Sequence, residues 1–123
     1  MPSVLIIDDE ASVRFIFRRV LESKGFEVIE ASDGEMGLRM YRENPVDVVV
    51  TDIIMPVKDG AETISEFRSE FPNGRIIAIS GGGLAIAGNT CLTLAKAMGA
   101  NLTMTKPVDA DELAEAVRSL LTQ

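Results

Sequence analysis

Residues 4–9 read Val4-Leu5-Ile6-Ile7-Asp8-Asp9, four consecutive apolar side chains closing on two carboxylates. A short unbroken apolar run of this kind suits a strand buried on both faces, as in a parallel sheet. The period then changes. Val13, Ile16, Phe17, Val20 and Leu21 recur at helical spacing, and Lys24-Gly25 reads as the helix end, the glycine supplying a left-handed residue.

The same alternation continues outward from this first unit. Residues 27–31 alternate polar and apolar, like a strand with one buried face, and Asp33 can cap a second helix running to about Glu43. Residues 46–51 are rich in β-branched side chains and read as a third strand closing on Asp52. A helix from about Gly60 then carries Ile64, Phe67 and Phe71 on one face. Residues 76–79 read as a fourth strand ending at Ser80, followed by a glycine-rich loop and a helix ending near Met98-Gly99. Residues 102–105 make a fifth strand ending at Lys106. Asp109 with Glu112 three residues on is a capping-box pattern, and the last helix buries Leu113, Ala116, Val117, Leu120 and Leu121. Five strands alternating with five helices predict an α/β fold, a doubly wound parallel sheet covered on both faces. The apolar first, third and fourth strands suit its centre and the more polar second strand an edge.

Bulk properties narrow the function classes. A length of 123 residues fits one domain, 1–123, and a 46% apolar share is enough for a core. The net charge of −7 argues against a phosphate-backbone binder, so no direct nucleic acid binding is expected. A single cysteine, Cys91, cannot form an internal disulfide and reads as a buried filler. There is no membrane-length apolar run, and the Met-Pro-Ser start lacks the features of a signal peptide, so a cytoplasmic protein without membrane insertion is expected. The chain has no histidine, which removes Ser-His-Asp and Cys-His catalysis, His-rich zinc sites and any phosphohistidine on this chain.

Sheets of this class bind ligands at the carboxyl ends of their strands. Asp8 and Asp9 follow the first strand, Asp52 ends the third, Ser80 the fourth and Lys106 the fifth, so the fold gathers three carboxylates, a hydroxyl and an ammonium. Bare carboxylates a few ångströms apart oppose one another's ionisation, and a hard divalent cation resolves the conflict. A metal, a fixed cation and an in-line nucleophile are most of what phosphoryl transfer needs. Asp52 is the candidate nucleophile, Lys106 the fixed cation and Ser80 a hydroxyl donor, and Gly81, Gly82 and Gly83 let backbone N–H groups approach an anion. Each residue alone has a plainer explanation. Asp8-Asp9-Glu10 could cap the first helix, Asp52 could sit in a loop, Lys106-Pro107 could be a solvated turn and 80–83 a flexible connection. Their joint arrival at one sheet edge is what favours the site.

Val4-Leu5-Ile6-Ile7-Asp8-Asp9, Asp52-Ile53-Ile54-Met55-Pro56 with Gly60, Ser80-Gly81, Gly99-Ala100 and Lys106-Pro107 together make the sequence resemble the receiver domains of two-component response regulators. The resemblance covers nearly the whole chain. It implies a flavodoxin-like fold with strand order 2-1-3-4-5 and Asp52 as phosphoacceptor. It also implies Mg2+ bound directly by Asp9 and Asp52, through water by Asp8, and by the backbone carbonyl of Ile54. Lys106 would contact the phosphoryl group, the backbone of Ile53 and Gly81 would face it, and Ser80 would be the switch hydroxyl. The donor would be a histidine kinase or histidine phosphotransfer protein docking near Arg14, Arg18 and Arg19 and near Pro107. The chain would be a stand-alone receiver signalling through protein contacts.

Three departures stand out. Thr103 occupies the switch position where receivers usually carry Tyr or Phe. The stretch between Ser80 and Lys106 is about one helical turn longer than is typical, and Val108 follows Pro107 where an aromatic is common. Ile54 and Gly82 are nonpolar where other receivers often carry polar groups, so a long-lived aspartyl phosphate is expected. Rival readings fit less well. A haloacid-dehalogenase-type phosphatase needs an acid where Ile54 stands. A dinucleotide site needs glycines where Asp8 and Asp9 stand. A receiver-like interaction module acting without phosphorylation is kept open by Thr103.

Overall fold

The computed structural model describes residues 1–53, 60–80, 99–105 and 107–122. The expected helix before Gly99, the 81–83 loop, Cys91, Ile54 and Lys106 lie outside them. In chain order the elements are β1 (Ser3–Ile7), α1 (Ala11–Ser23), β2 (Glu27–Ala31), α2 (Gly34–Glu43), β3 (Val48–Asp52), α3 (Gly60–Glu70), β4 (Ile76–Ser80), β5 (Leu102–Thr105) and α4 (Ala110–Leu121). The strands form one sheet of order β2-β1-β3-β4-β5, and every neighbouring pair is parallel. This is the flavodoxin-like arrangement, with four helices among the described residues.

The period-2 alternation of the strands divides the core into two layers. Leu5, Ile7, Val49, Ile76 and Ala78 face Leu38 and Tyr41 of α2 and Ile64 and Phe67 of α3. Val4, Ile6, Val48, Val50, Ile77 and Ile79 face Phe17 and Leu21 of α1 and Leu113, Val117 and Leu120 of α4. Burial on both faces explains why β1, β3 and β4 read as continuous apolar runs. The outer strands β2 and β5 are only partly buried.

Two helix faces are narrower than their sequences suggest. In α1 the i, i+4 row of Phe17 and Leu21 is buried, with Val13 packed beside it, whereas Ile16 is 55% exposed next to Phe15 at 58%. In α4, Ala114 is fully buried, while Ala116 and Leu121 lie on the flank. The caps are real. Asp33 accepts from the Met36 N–H at 2.8 Å, and Asp109 accepts from Asp111 N–H at 2.7 Å, one residue short of the expected bond to Glu112. Gly25 adopts φ +94°, as the end of α1 requires.

Gly37 seats α2 against β1. A Cβ there would meet Ile7 Cγ1 at 2.8 Å, and Ile7 is 1% exposed, locked in the core. Gly37→Ala gains roughly 1 kcal/mol of helix propensity and incurs about 1–3 kcal/mol of overpacking. Packing is expected to win, so the urea midpoint of the variant falls; a rise would show that α2 can shift outward at little cost.

Candidate functional site

Sheet register puts the functional residues side by side. Ile7 of β1 lies opposite Thr51 of β3, so the next residues, Asp8 and Asp52, leave adjacent strands at the same level. Asp52 in turn lies opposite Ile79, which places Ser80 one residue beyond it on β4, and Ser80 lies opposite Thr105. The result is a cluster of three carboxylates, with one oxygen each from Asp8, Asp9 and Asp52 all within 4.8 Å of one another. Asp8 and Asp52 are buried, at 3% and 5% exposure, and Asp9 faces solvent. Ser80 is fully buried at the edge of this group.

Asp8 and Asp9 are not helix caps. The first turn of α1 contains no acid, its N-cap is Glu10 and that side chain makes no capping bond. Asp8 instead stands on a tightly held loop. Its N–H donates to the Ala31 carbonyl at 3.1 Å, its carboxylate accepts from Glu10 N–H at 2.9 Å, and its carbonyl accepts from the Arg14 guanidinium at 2.6 Å. The Thr51 hydroxyl donates to the Asp52 carbonyl at 3.0 Å. Ile53 continues the line of β3. Its N–H donates to Ile79 O at 2.9 Å, extending the sheet ladder. Ile54, Gly81 and Lys106 lie outside the described residues. Thr103 lies opposite Ala78, two residues before the level of Ser80, and is half-buried.

The donor set suits a hard cation. Three carboxylates offer only oxygen, two are withdrawn from water and the third opens to it, which is what an ion that keeps part of its water shell requires. The cluster could therefore bind a divalent metal.

Two of the α1 arginines share the Glu30 carboxylate. Arg14 Nε bonds one oxygen of Glu30 at 3.0 Å, and Arg18 Nη1 bonds the other at 2.9 Å. The hydrogen bond from Arg18, with Arg14 adding to it, holds the Glu30 carboxyl below its usual range against the opposing effect of burial. The stability this contributes is present above the ordinary glutamate range and fades as pH falls through the lowered value. Arg19 rests over the Phe15 ring at 5.6 Å, so the outward surface of α1 combines Phe15, Ile16 and Arg19. The link from Arg14 to Asp8 was not legible in the sequence, where Arg14 looks like any surface charge on a helix.

The sequence profile of the response regulator receiver domain matches residues 4–118. The chain is 34% identical over 119 residues to the chemotaxis protein CheY of Bacillus subtilis, covering 96% of each. It is 38% identical to the probable transcriptional regulator ycf27 of Guillardia theta, where it spans 96% of this chain but only 44% of that protein. A response regulator receiver domain protein from Clostridium thermocellum superposes with a TM-score of 0.88 at 32% identity, covering 99% of this chain and 95% of that one. The chain belongs to the response regulator receiver domain family of two-component signalling. Members of that family are signalling modules, which leaves the phosphatase and dinucleotide readings without support. Among the described residues no helix is long and apolar enough to cross a membrane.

Proposed function

We propose that residues 1–123 work as one phosphoacceptor unit of a cytoplasmic two-component phosphorelay, taking a phosphoryl group onto Asp52 from a histidine kinase or histidine phosphotransfer protein in the presence of Mg2+. The observation that carries this reading is the convergence of the Asp8, Asp9 and Asp52 carboxylates within 4.8 Å at the carboxyl end of the sheet. Asp9 and Asp52 would hold the ion directly, Asp8 through water, and the Ile54 carbonyl would complete the protein ligands. The chemistry the ion supplies when bound is neutralisation of charge on the phosphoryl oxygens.

A carboxylate oxygen of Asp52 attacks phosphorus while the P–N bond of the donor phosphohistidine breaks. The bonding pair leaves with the imidazole, which is then protonated, and an acyl phosphate remains on Asp52. Burial of Asp52 limits access of competing water. Lys106 would hold a phosphoryl oxygen, the Gly81 N–H would face another, and the Ser80 hydroxyl would reorient toward the new group. Output would pass through changed protein contacts around β5, where Thr103 replaces the usual switch aromatic. The donor would meet the Phe15, Ile16 and Arg19 surface of α1.

The test is intact mass after incubation with acetyl phosphate and Mg2+, where the P–O bond breaks and acetate leaves. Wild type is expected to gain one phosphoryl group, and Asp52→Ala or added chelator to abolish the gain. Failure of wild type with both acetyl phosphate and a panel of histidine kinases would favour the second reading, an interaction module without phosphorylation, for which Thr103 is the supporting feature.

A further inference from the structure

Arg14 grips the backbone of the carboxylate site. Its Nη1 donates to the Asp8 carbonyl at 2.6 Å, while its Nε is aligned by Glu30 at 3.0 Å, and the side chain is only 17% exposed. Glu30 sits on β2 and its other oxygen is held by Arg18, so a three-residue chain ties the edge strand to the loop that carries Asp8 and Asp9.

We propose that Arg14 is a positioning residue for the metal site, a clamp that fixes the loop of Asp8 and Asp9 so that their carboxylates stay in register with Asp52. The inference rests on the reading of that cluster as an Mg2+ site. Two effects of Arg14 oppose each other, and their signs differ. As a charge near the pocket it repels a cation, so its removal would tighten binding. As a clamp it preorganises two of the three carboxylates, so its removal weakens binding. Partners one step removed from a metal typically change affinity by roughly 10–100-fold when mutated, whereas the charge effect of a guanidinium paired with Glu30 is largely cancelled. The clamp should dominate. Lysine keeps the charge but lacks the fork that reaches carbonyl and carboxylate together.

The experiment is an Mg2+ titration of the full chain followed by amide chemical shifts of residues 8–10, with urea unfolding in chelator as the measure of fold. Arg14→Ala and Arg14→Lys are each expected to raise the Mg2+ dissociation constant on the order of tenfold, and Glu30→Gln by less, with the variants less stable in chelator but still folded under the titration conditions. Equal or tighter binding by Arg14→Ala overturns the clamp, as does wild-type affinity in Arg14→Lys. Should the alanine variant fail to fold, the lysine and Glu30→Gln variants decide. A wild type that binds no Mg2+ instead refutes the metal reading, and the clamp with it.

Discussion

Asp52→Asn is expected to be more stable than wild type in chelator and to lose the stabilisation that Mg2+ confers. The substitution keeps the shape of a side chain that is 5% exposed and removes one of three carboxylates lying within 4.8 Å of one another. At that separation and an effective dielectric of 20, each like-charge pair opposes folding by roughly 3.5 kcal/mol before solvent screening, which the exposure of Asp9 reduces. A gain of about 1–3 kcal/mol in the metal-free variant is therefore reasonable, a rise of several degrees in melting temperature for a domain of this size.

Magnesium acts in the opposite direction on the two proteins. At a concentration about 100 times its dissociation constant, a ligand that binds only the folded state stabilises by about 2.7 kcal/mol. Wild type should gain that much and the variant close to none, so their order of stability narrows or reverses as Mg2+ is added. Thermal melts in chelator and in excess Mg2+ provide the check. An Asp52→Asn protein less stable than wild type in chelator, or one with an undiminished response to Mg2+, would mean that the cluster is not an electrostatically strained metal site.

The parts of this molecule that were legible in the sequence are those governed by period and by strand ends. Val4 to Ile7 announced a central strand because burial on both faces leaves no room for polar alternation. Asp8 and Asp52 could be paired in advance because parallel strands deliver their carboxyl ends to one edge. Helix burial was legible only in outline. The apolar stripe of α1 is wider than the face the sheet can cover, so nothing local distinguishes buried Phe17 from exposed Ile16. Contacts between a side chain and a distant backbone group left no trace at all. Arg14 on the Asp8 carbonyl follows from loop geometry rather than from residue type. The bond from Arg68 to the Gly99 carbonyl spans 31 residues and has no periodic signature.

Arg68→Ala is expected to lower stability by about 2–4 kcal/mol while leaving the carboxylate site able to bind Mg2+. Near the end of α3, Arg68 donates from Nε at 3.2 Å and Nη2 at 2.6 Å to the Gly99 carbonyl, and from Nη1 at 2.7 Å to the carbonyls of both Pro72 and Gly74. Its Nη2 also reaches Asn101 Oδ1 at 2.9 Å, and that same amide oxygen accepts from Ile76 N–H at 2.8 Å. One guanidinium thus collects the turn before β4 and the turn before β5. Gly99 itself has φ +124°, and a Cβ there would press on the Arg68 side chain. Charged hydrogen bonds contribute about 1.5–3 kcal/mol each in favourable cases, but Arg68 is half-buried and water can replace part of the set, so the sum is well below the total of the bonds. Lysine cannot satisfy acceptors on three sides and should recover less than half of the loss. Because these contacts gather the amino ends of β4 and β5, and the carboxylates sit at the opposite end of the sheet, the loss should appear in urea unfolding and not in the Mg2+ titration at low temperature. An unchanged unfolding midpoint would show that backbone turns alone hold this end of the sheet. Weakened Mg2+ binding in a folded Arg68→Ala protein would instead show that the strain is carried along β5 to the site.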